Sequence, residues 1–300
     1  MMKLDGIAAF VATVEAGSIS EAARRLGWSK SVVSERLAEL ERTLGTRLVQ
    51  RTTRKLSLTQ DGGNLLPRAR RILAEVDEAA AEIVERRGSL AGPLRISAPV
   101  SFGVLHLGRV IYAFLAEHPE LELSLELDDR FVDPAADGFD AVIRHGPVED
   151  SRLVAKRLAV TRRTLVASPS YLERAGTPKS IEDLQRHSGI LYSNRDTDWR
   201  FASADGWRVV KPRTCMRVNN GIIMRDAALA GHGITLLPTF LTYSEIASGS
   251  LRHIDIDMEA EGAELYVCYP LARTPSAKVL ALVDSLRTAF GNPPYWDSAC

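Results

Sequence analysis

The sequence predicts an α/β protein with a helical N-terminal head, a long linker helix and a large body. Three observations predict it. Short amphipathic helices bounded by capping residues and glycines fill residues 1–45, and one apolar stripe then runs through residues 60–88. From Leu94 onward, short apolar strands alternate with helical segments.

Composition places the chain among ordinary soluble proteins. At 300 residues it is long for a single core, and two or three domains are expected. No apolar run approaches the roughly 20 residues that cross a bilayer, and the N-terminus lacks an apolar secretory region. We therefore expect a cytoplasmic protein without a membrane partner. The widely spaced Cys215, Cys268 and Cys300 indicate free thiols in a reducing compartment.

The distribution of charge is uneven although the formal net charge is zero. Residues 1–62 carry 10 Lys and Arg against 7 Asp and Glu, whereas residues 93–300 carry 23 against 26. A basic head on an acidic body indicates that any nucleic-acid contact lies at the N-terminus. The excess is small, so charge alone does not decide the function.

Two capped helices predict a helix-turn-helix in the head. After a first amphipathic helix that ends at Gly17, Ser18 and Glu21 form a capping-box pattern, and the second helix ends at Gly27. Ser29 can cap a third helix that ends at Gly45. The apolar side of this third helix consists of Val33, Leu37, Leu40 and Leu44. Two short helices joined by a tight glycine turn are typical of DNA-binding domains, in which the second of the pair reads the major groove.

The polar side of the third helix supplies the candidate DNA contacts. Small hydroxyl side chains let a helix approach base edges, and cations bind phosphate or guanine. These candidates are Ser29, Lys30, Ser31, Ser34 and Arg36. Segments 48–51 and 55–58 predict a β-hairpin whose tip region carries Arg51, Thr52 and Arg54, a wing for the DNA backbone. A small helical domain that binds protein would show the same helical pattern.

A regular set of apolar, glycine and polar positions extends through the head. Its members are Phe10, Val14, Glu15, Gly17, Ser18, Ala22, Ala23, Leu26, Ser29, Ser31, Val33, Ser34, Leu37, Leu40, Glu41, Leu44, Gly45, Leu48, Arg51, Arg54, Leu58, Thr59 and Gly62. This set resembles the winged helix-turn-helix of the LysR family of transcriptional regulators. Val49 stands where that family usually has Phe, and Lys30 replaces a common Gln. The resemblance implies sequence-specific binding of double-stranded DNA by residues 1–59, with an operator preference that cannot be copied from relatives.

Residues 60–88 predict a linker helix with a single apolar stripe. The stripe consists of Leu65, Ala69, Ile72, Val76, Ala79 or Ala80, and Ile83. A helix of this length is about 40 Å long, and a narrow stripe along it needs a partner. We therefore expect a homodimer through this helix; packing of the helix on its own body is the alternative. Residues 86–89 and 92–93 predict a hinge.

The body predicts a parallel or mixed α/β sheet. Strands are expected at 94–98, 121–127, 139–143, 164–167, 233–237 and 264–268, with helices after Ser101, at 222–230 and at 279–290. The six histidines lack HExxH or HxH spacing, and the chain has no GxSxG or Walker A motif. We expect no enzyme activity and no metal or cofactor; a catalytic site assembled from distant residues is the alternative.

Five segments of the body carry a second resemblance: 128–133, 138–144, 166–169, 219–221 and 227–231. They resemble the effector domain of the LysR family, which is similar to two-lobed periplasmic solute-binding proteins. The resemblance implies an effector-binding domain over 93–300, with lobe I at 93–162 and 268–300, lobe II at 163–267 and a small molecule between them. It also implies a homotetramer through these domains. A ligand-independent architectural DNA-binding protein is the rival, but it leaves the body unexplained.

The effector site is expected beyond the carboxyl ends of strands, where open α/β sheets bind ligands. The candidates are Ser101 and Phe102 after the first strand, Arg144 and His145 at the end of another, and, by resemblance, Asn194 and Asn220. Free N–H groups at the helix start and the Arg144 cation would suit an anion. We therefore expect a small carboxylate with its apolar part against Phe102. The alternatives are that Ser101 only caps its helix and that Arg144 pairs with an acidic neighbour.

Overall fold

A computed structural model describes residues 2–51, 56–85, 90–130, 134–146, 152–195, 199–204, 206–262, 264–271 and 275–297. Within these ranges, the side chains at 51, 74, 77–85 and 135–136 are not described. The chain divides into two compact units, residues 1–93 with 133–139 and residues 94–132 with 140–300.

The head is built from short capped helices and a hairpin. Its elements are α1 (Leu4–Ala16), α2 (Ile19–Leu26), α3 (Lys30–Leu44), β1 (Val49–Arg51), β2 (Leu56–Leu58) and α4 (Gln60–Glu85). The Ser18 hydroxyl accepts a hydrogen bond from Glu21 N at 3.2 Å, and the Ser29 hydroxyl accepts one from Val32 N at 3.3 Å. The predicted capping box is only half formed, because the Glu21 carboxylate binds Arg24 at 2.6 Å instead of reaching back to Ser18.

Helices α1 and α3 pack closely around the core of the head. Phe10 and Leu37 are fully buried there, together with residues of β1 and α4. Gly6 permits the close approach of the helices, since a Cβ at this position would lie 3.1 Å from Leu40 Cβ. Leu44, which was predicted on this apolar side, is 41% exposed because it is the last residue of α3 and extends past the core.

The predicted wing is an antiparallel hairpin of β1 and β2, in which Arg51 pairs with Leu56. The Glu41 carboxylate of α3 accepts hydrogen bonds from Leu48 N at 2.8 Å and Val49 N at 3.2 Å. This carboxylate therefore fixes the first strand of the hairpin against α3. The predicted contacts Thr52 and Arg54, like the side chain of Arg51, lie outside the described residues.

Helix α4 completes the core of the head. It spans 26 residues, which corresponds to about 39 Å. Ala69 is buried in the core, and Leu65 and Ile72 pack against it. An ion pair of 2.9 Å between Arg70 Nε and Glu15 Oε1 links α4 to α1. The first half of the predicted dimer stripe is thus used within one chain.

The second half of the stripe begins with Val76, which is 44% exposed. Ala79, Ala80 and Ile83 lie among the side chains that are not described. The prediction of one continuous free stripe is therefore wrong for its N-terminal half, because the hydrophobic core of the head extends onto α4.

The elements after α4 alternate between strands and helices. In chain order they are β3 (Gly92–Ala98), α5 (Val100–Phe102), α6 (Gly108–Glu117), β4 (Leu121–Leu127), α7 (Pro134–Asp137), β5 (Ala141–His145), β6 (Leu153–Ala159), β7 (Arg163–Ala167), α8 (Pro169–Ala175), α9 (Ile181–Leu184), β8 (Ser188–Tyr192), β9 (Arg200–Ser203), β10 (Gly206–Val209), β11 (Arg213–Val218), α10 (Gly221–Leu229), β12 (Ile234–Pro238), α11 (Tyr243–Ala247), β13 (Arg252–Ile254), β14 (Leu265–Pro270) and α12 (Ala277–Phe290). A π-helical turn, Gly103–Leu107, joins α5 to α6.

Two mixed five-stranded sheets form two lobes. The sheet of lobe I has the order β4-β3-β5-β14-β6, and that of lobe II has the order β11-β8-β12-β7-β13. The chain passes from lobe I to lobe II between β6 and β7, and returns between β13 and β14. Because β14 already pairs with β5 and β6 from Leu265, the return precedes the predicted boundary at residue 268.

The structure bears on two expectations from composition. Cys215 and Cys268 are free thiols, and Cys300 lies outside the described residues. Val100–Glu117 is a helical run with the length and apolar character of a membrane span, which corrects the expectation that no stretch approaches it. Its apolar side chains have another use, since Phe102 and Phe114 are buried inside the protein.

Gly62 tests how closely α4 approaches the hairpin. A Cβ at Gly62 would lie 2.1 Å from the Leu48 carbonyl oxygen, whereas a Cβ at Gly63 would meet nothing within 4 Å. We expect Gly62→Ala to lower the free energy of unfolding by about 1–3 kcal/mol, because α4 must move off the hairpin. The control Gly63→Ala should raise it by up to about 1 kcal/mol, the advantage of Ala over Gly inside a helix. Urea unfolding measures both; equal effects of the two variants would contradict the close approach.

Candidate functional site

The N-terminal turn of α3 presents most of the predicted DNA contacts. Ser29, Lys30 and Ser31 are exposed, and Ser34 is half-buried one turn later. The Ser29 and Ser31 hydroxyls lie 2.8 Å apart and form one polar patch. Lys30 makes no ion pair with any residue that the structure describes. The turn therefore offers solvent a cation beside two small hydroxyl groups.

Two neighbouring positions on α3 differ from the sequence-based expectation. Arg36 Nη1 lies 3.2 Å from Glu39 Oε2, and Arg36 Nε lies 3.6 Å from Asp5 Oδ2. Its charge is compensated within the head, because it lies where α3 faces α1. Val32 was not singled out, yet it is exposed between the polar residues of this turn. The signal for Val32 in the sequence was an isolated apolar side chain on an otherwise polar helix face. Such a side chain can pack against the methyl group of thymine.

A cleft of about 560 Å³ opens between the two sheets of the second unit. Its walls include residues at or just beyond the carboxyl ends of β3, β4, β5, β8 and β12. This is the position at which open α/β sheets bind ligands, and the volume suits a small molecule. Of the six predicted effector contacts, Ser101, Phe102, Arg144, His145 and Asn194 line the cleft, and Asn220 does not.

The loop after β3 lines the cleft, but the hydrogen bonding at the start of its helix differs from the prediction. Pro99 precedes the first turn of α5, and Val100 N donates a hydrogen bond to Asp129 Oδ1 at 3.0 Å. Ser101 is buried within that turn and does not cap it. An aspartate thus occupies the helix start, so the predicted anion site on its N–H groups is wrong. Burial raises the pKa of the Asp129 carboxyl.

Strand β5 ends in the cleft with Arg144 and His145. Arg144 donates from Nη1 to Ile143 O at 2.8 Å and from Nη2 to Ser97 Oγ at 3.0 Å. Its Nε is buried and has no hydrogen-bond partner among the residues that the structure describes, and the same holds for both ring nitrogens of His145. The predicted alternative of an acidic partner is not observed, because none of the described carboxylates forms an ion pair with Arg144.

His145 is a neutral side chain in this cleft. Burial, together with the nearby Arg144 charge, lowers its pKa to about 3. One ring nitrogen of a neutral imidazole carries a proton and the other accepts one. Together with Arg144 Nε, the wall of the cleft therefore holds three polar nitrogens that lack partners, an arrangement that is uncommon in protein interiors.

Phe102 is fully buried at the centre of an aromatic cluster under the cleft. The ring centroids of Phe240, Phe290, His145 and Trp296 lie 5.2, 5.5, 5.6 and 5.9 Å from that of Phe102. His145 also stacks on Phe240, with centroids 5.0 Å apart and planes inclined by 4°. Because Phe102 follows β3 of lobe I and Phe240 follows β12 of lobe II, the cluster joins the two lobes at the floor of the cleft.

The two predicted asparagines have different environments. Asn194 is exposed at the cleft, and its Nδ2 donates to the Tyr192 hydroxyl at 3.3 Å. Asn220 Oδ1 accepts from Ile222 N at 3.0 Å and caps α10. Capping is a common role of Asn at a helix start, and it replaces the predicted ligand contact. The next residue, Gly221, lines the cleft instead.

Four charged lining residues were missed in the sequence: Asp128, Asp129, Arg163 and Arg195. Asp128 binds the Arg130 guanidinium at 2.6 Å, which lowers the pKa of Asp128 to about 2. The two aspartates and Arg195 follow the ends of β4 and β8, and that position was a usable signal. Arg163 is the first residue of β7. It lies at the cleft end of the sheet because β7 runs antiparallel to β12.

Both units match known protein families. Residues 4–63 match the model for bacterial regulatory helix-turn-helix proteins of the lysR family, and residues 87–291 match the LysR substrate binding domain. The transcriptional regulator PtxR of Pseudomonas aeruginosa is 35% identical over 298 residues, which cover 98% of this chain and 95% of PtxR.

Solved structures of full-length regulators have the same fold. CrgA, a LysR-type transcriptional regulator from Neisseria meningitidis, superposes with a TM-score of 0.59 at 30% identity, covering 94% of this chain and 98% of CrgA. The Vibrio cholerae virulence activator AphB superposes with a TM-score of 0.60 at 27% identity, covering 95% and 98%. These relatives are transcriptional regulators and not enzymes.

Proposed function

The chain belongs to the LysR family of bacterial transcriptional regulators, and from that premise we propose that a small carboxylate in its cleft modulates sequence-specific DNA binding. The observation that carries the proposal is the set of partnerless nitrogens on Arg144 and His145. We assign DNA binding to residues 1–59, dimerisation to 60–88 and effector binding to 93–300, in a cytoplasmic protein.

The DNA-binding part of the proposal rests on the first turn of α3 and on the hairpin. Ser29, Lys30, Ser31 and Ser34 would lie in the major groove, where hydroxyl groups read base edges and a cation binds guanine or phosphate. Arg51, Thr52 and Arg54, which the sequence predicts in the wing, would bind the DNA backbone. Arg36 is left out of this set because Glu39 and Asp5 compensate its charge.

Lys30→Ala and Arg36→Ala separate DNA contact from head packing. Each removes one positive charge from α3, but only Lys30 is free of ion pairs in the described head. Lys30→Ala should weaken binding to duplex DNA and reduce the dependence of log K on log salt by about one unit if it binds a phosphate. Arg36→Ala should leave that dependence unchanged. Fluorescence anisotropy at several salt concentrations measures both.

A second pair of variants tests the wing in the same assay. Arg51→Ala and Arg54→Ala should weaken binding on all sequences alike, because phosphate contacts carry no sequence information. If neither these variants nor Lys30→Ala change the affinity or the salt dependence, α3 and the hairpin are not the DNA-binding surface.

The effector part of the proposal rests on donors that lack acceptors. A carboxylate oxygen can accept from Arg144 Nε and from the protonated ring nitrogen of His145, which burial keeps neutral. Phe240 and Leu241 provide an apolar wall beside these groups. A small organic acid with an apolar part therefore supplies acceptors to these two donors and covers the wall, while the other ring nitrogen of His145 is itself an acceptor.

Arg144→Ala tests the carboxylate assignment. We expect isothermal titration of the full chain with a panel of small organic acids to identify a ligand whose Kd rises at least about tenfold in Arg144→Ala, since a charged hydrogen bond is lost. Arg157→Ala, which removes a surface charge of lobe I paired with Glu264, is the control and should leave the Kd unchanged. An uncharged ligand, or equal binding by Arg144→Ala, contradicts the carboxylate. If no small molecule binds, the architectural alternative is favoured.

Members of this family form oligomers, and we propose a homodimer through α4, with a homotetramer through the effector domains. Val76 is the first residue of the stripe that the structure shows exposed. We expect Val76→Glu to break the contact between two α4 helices, so that the assembly sediments with half its mass. Val76→Ala should leave the sedimenting mass unchanged. Ile72→Glu is unsuitable, because Ile72 packs on the head core. An unchanged mass for Val76→Glu would exclude this interface.

A further inference from the structure

A second concavity, of about 640 Å³, opens on lobe II. It lies among α8, the end of α9, the starts of β8 and β11, and the turn after α10, and we call it the lobe II groove. Its chemistry is set by Arg174, Asp183, Arg186, His187, Arg213 and His232. None of the residues that line the groove lines the effector cleft.

The groove carries uncompensated positive charge. Three guanidinium groups face one carboxylate, that of Asp183. Arg186 lies 3.9 Å from Asp183, and neither Arg174 nor Arg213 forms an ion pair with the residues that the structure describes. The three guanidinium groups and the one carboxylate together leave two positive charges, which is the charge complement of a dianion.

Two of the guanidinium groups are held in place. Arg174 donates from Nη2 to Gly231 O at 2.8 Å, and its guanidinium lies 5.6 Å from the ring centre of the buried Tyr171. Arg213 donates from Nη2 to Ser188 Oγ at 3.4 Å. Each therefore retains further N–H donors that are oriented before any ligand arrives, which lowers the entropic cost of binding.

A neutral histidine adds a directed donor. The Tyr171 hydroxyl accepts a hydrogen bond from Ser188 N at 3.0 Å, and it lies 3.0 Å from His187 Nδ1. Burial lowers the pKa of His187, which keeps the imidazole neutral. With the Tyr171 hydroxyl assigned as the donor in its pair with His187, Nδ1 accepts and the imidazole proton resides on Nε2. The wall of the groove thus holds guanidinium donors and an imidazole N–H.

We propose that the lobe II groove binds the phosphate group of a small phosphate monoester, as a second ligand of this chain. A phosphate monoester carries roughly two negative charges near neutral pH, which match the two uncompensated positive charges. Its oxygens accept paired hydrogen bonds from the guanidinium fork. The groove is larger than a phosphate, and the remaining volume accommodates a carbon skeleton.

The position of the groove connects it to the proposed effector cleft. Ser188, at the start of β8, lines the groove, and Tyr192, at the end of the same strand, lines the cleft about 13 Å away. Strand β12 follows the groove residue His232 and ends in the cleft at Pro238. A phosphate ligand in the groove would therefore lie at one end of strands β8 and β12. The opposite ends of the same two strands form one wall of the cleft.

Arg213 and Arg252 form a matched pair for the test. Both are exposed and both begin an edge strand of the lobe II sheet, but Arg252 lies on the opposite edge, outside the groove. The probes are inorganic phosphate and glucose phosphate, titrated calorimetrically into the full chain against glucose and against chloride at equal ionic strength. We expect Arg213→Ala to raise the phosphate Kd at least about tenfold and Arg252→Ala to change it less than about twofold. Arg186→Ala, a second exposed variant, should also weaken binding.

The outcomes separate this site from others. Arg144→Ala should leave phosphate binding unchanged, so failure of the effector proposal and failure of this one are distinguishable. Phosphate binding no tighter than that of chloride, or unaffected by Arg213→Ala and Arg186→Ala, would overturn the proposal. Equal losses in Arg213→Ala and Arg252→Ala would show general charge attraction instead. Loss of DNA affinity in Arg213→Ala without phosphate binding would assign the groove to DNA, which also overturns it.

Discussion

The effector domain depends on the aromatic packing around Phe102. Its two sheets are joined by only two passages of the chain, and the cluster of Phe102, Phe240 and Trp296 fills the space where the lobes meet. The same packing defines the chemistry above it. Since His145 stacks on Phe240, its ring nitrogens are removed from water and the imidazole stays neutral. Hydrophobic contact thus determines which polar groups the cleft can offer.

Two arginines of this chain, Arg36 and Arg144, differ in whether nearby carboxylates compensate their charge, and this difference matches the roles that we propose for them. Arg36 lies between Glu39 and Asp5, and its charge stabilises the packing of α3 on α1. Within the described part of the chain, the acceptors of Arg144 are neutral oxygens, and one of its nitrogens has none. A buried donor without an acceptor costs free energy in the unliganded protein, and a ligand that supplies the acceptor recovers it. Sequence context does not distinguish the two residues, because every partner except Glu39 and Ile143 is distant in the chain.

Features with local causes could be predicted from the sequence, and those with distant causes could not. Ser29 caps α3 and Gly45 ends it because both interactions lie within a few residues. Strand β4 followed from its alternation of apolar and polar residues, and five further strands of the body from short apolar runs, whereas β6, β8, β9, β10, β11 and β13 were not predicted. The family resemblance gave the order of the domains. Ser101 was mistaken for a cap because its competitor, Asp129, arrives from the end of β4. Asn220 was assigned to the ligand, although the start of its own helix provides nearer donors.

The hydrophobic core of the head does not end with the hairpin but continues onto α4 as far as Leu73. This has a consequence for how such regulators diversify by recombination. A gene fusion that joined this head to another sensor at residue 59 would leave the core open, because Leu65 and Ala69 would be lost. A fusion that keeps the core of the head intact must join the two genes after Leu73. That point lies inside α4, so the side chains of the two parental helices must keep the same rotational position about the helix axis. Inheritance of operator choice is therefore tied to the first half of α4, the helix whose second half we propose to pair with a partner chain.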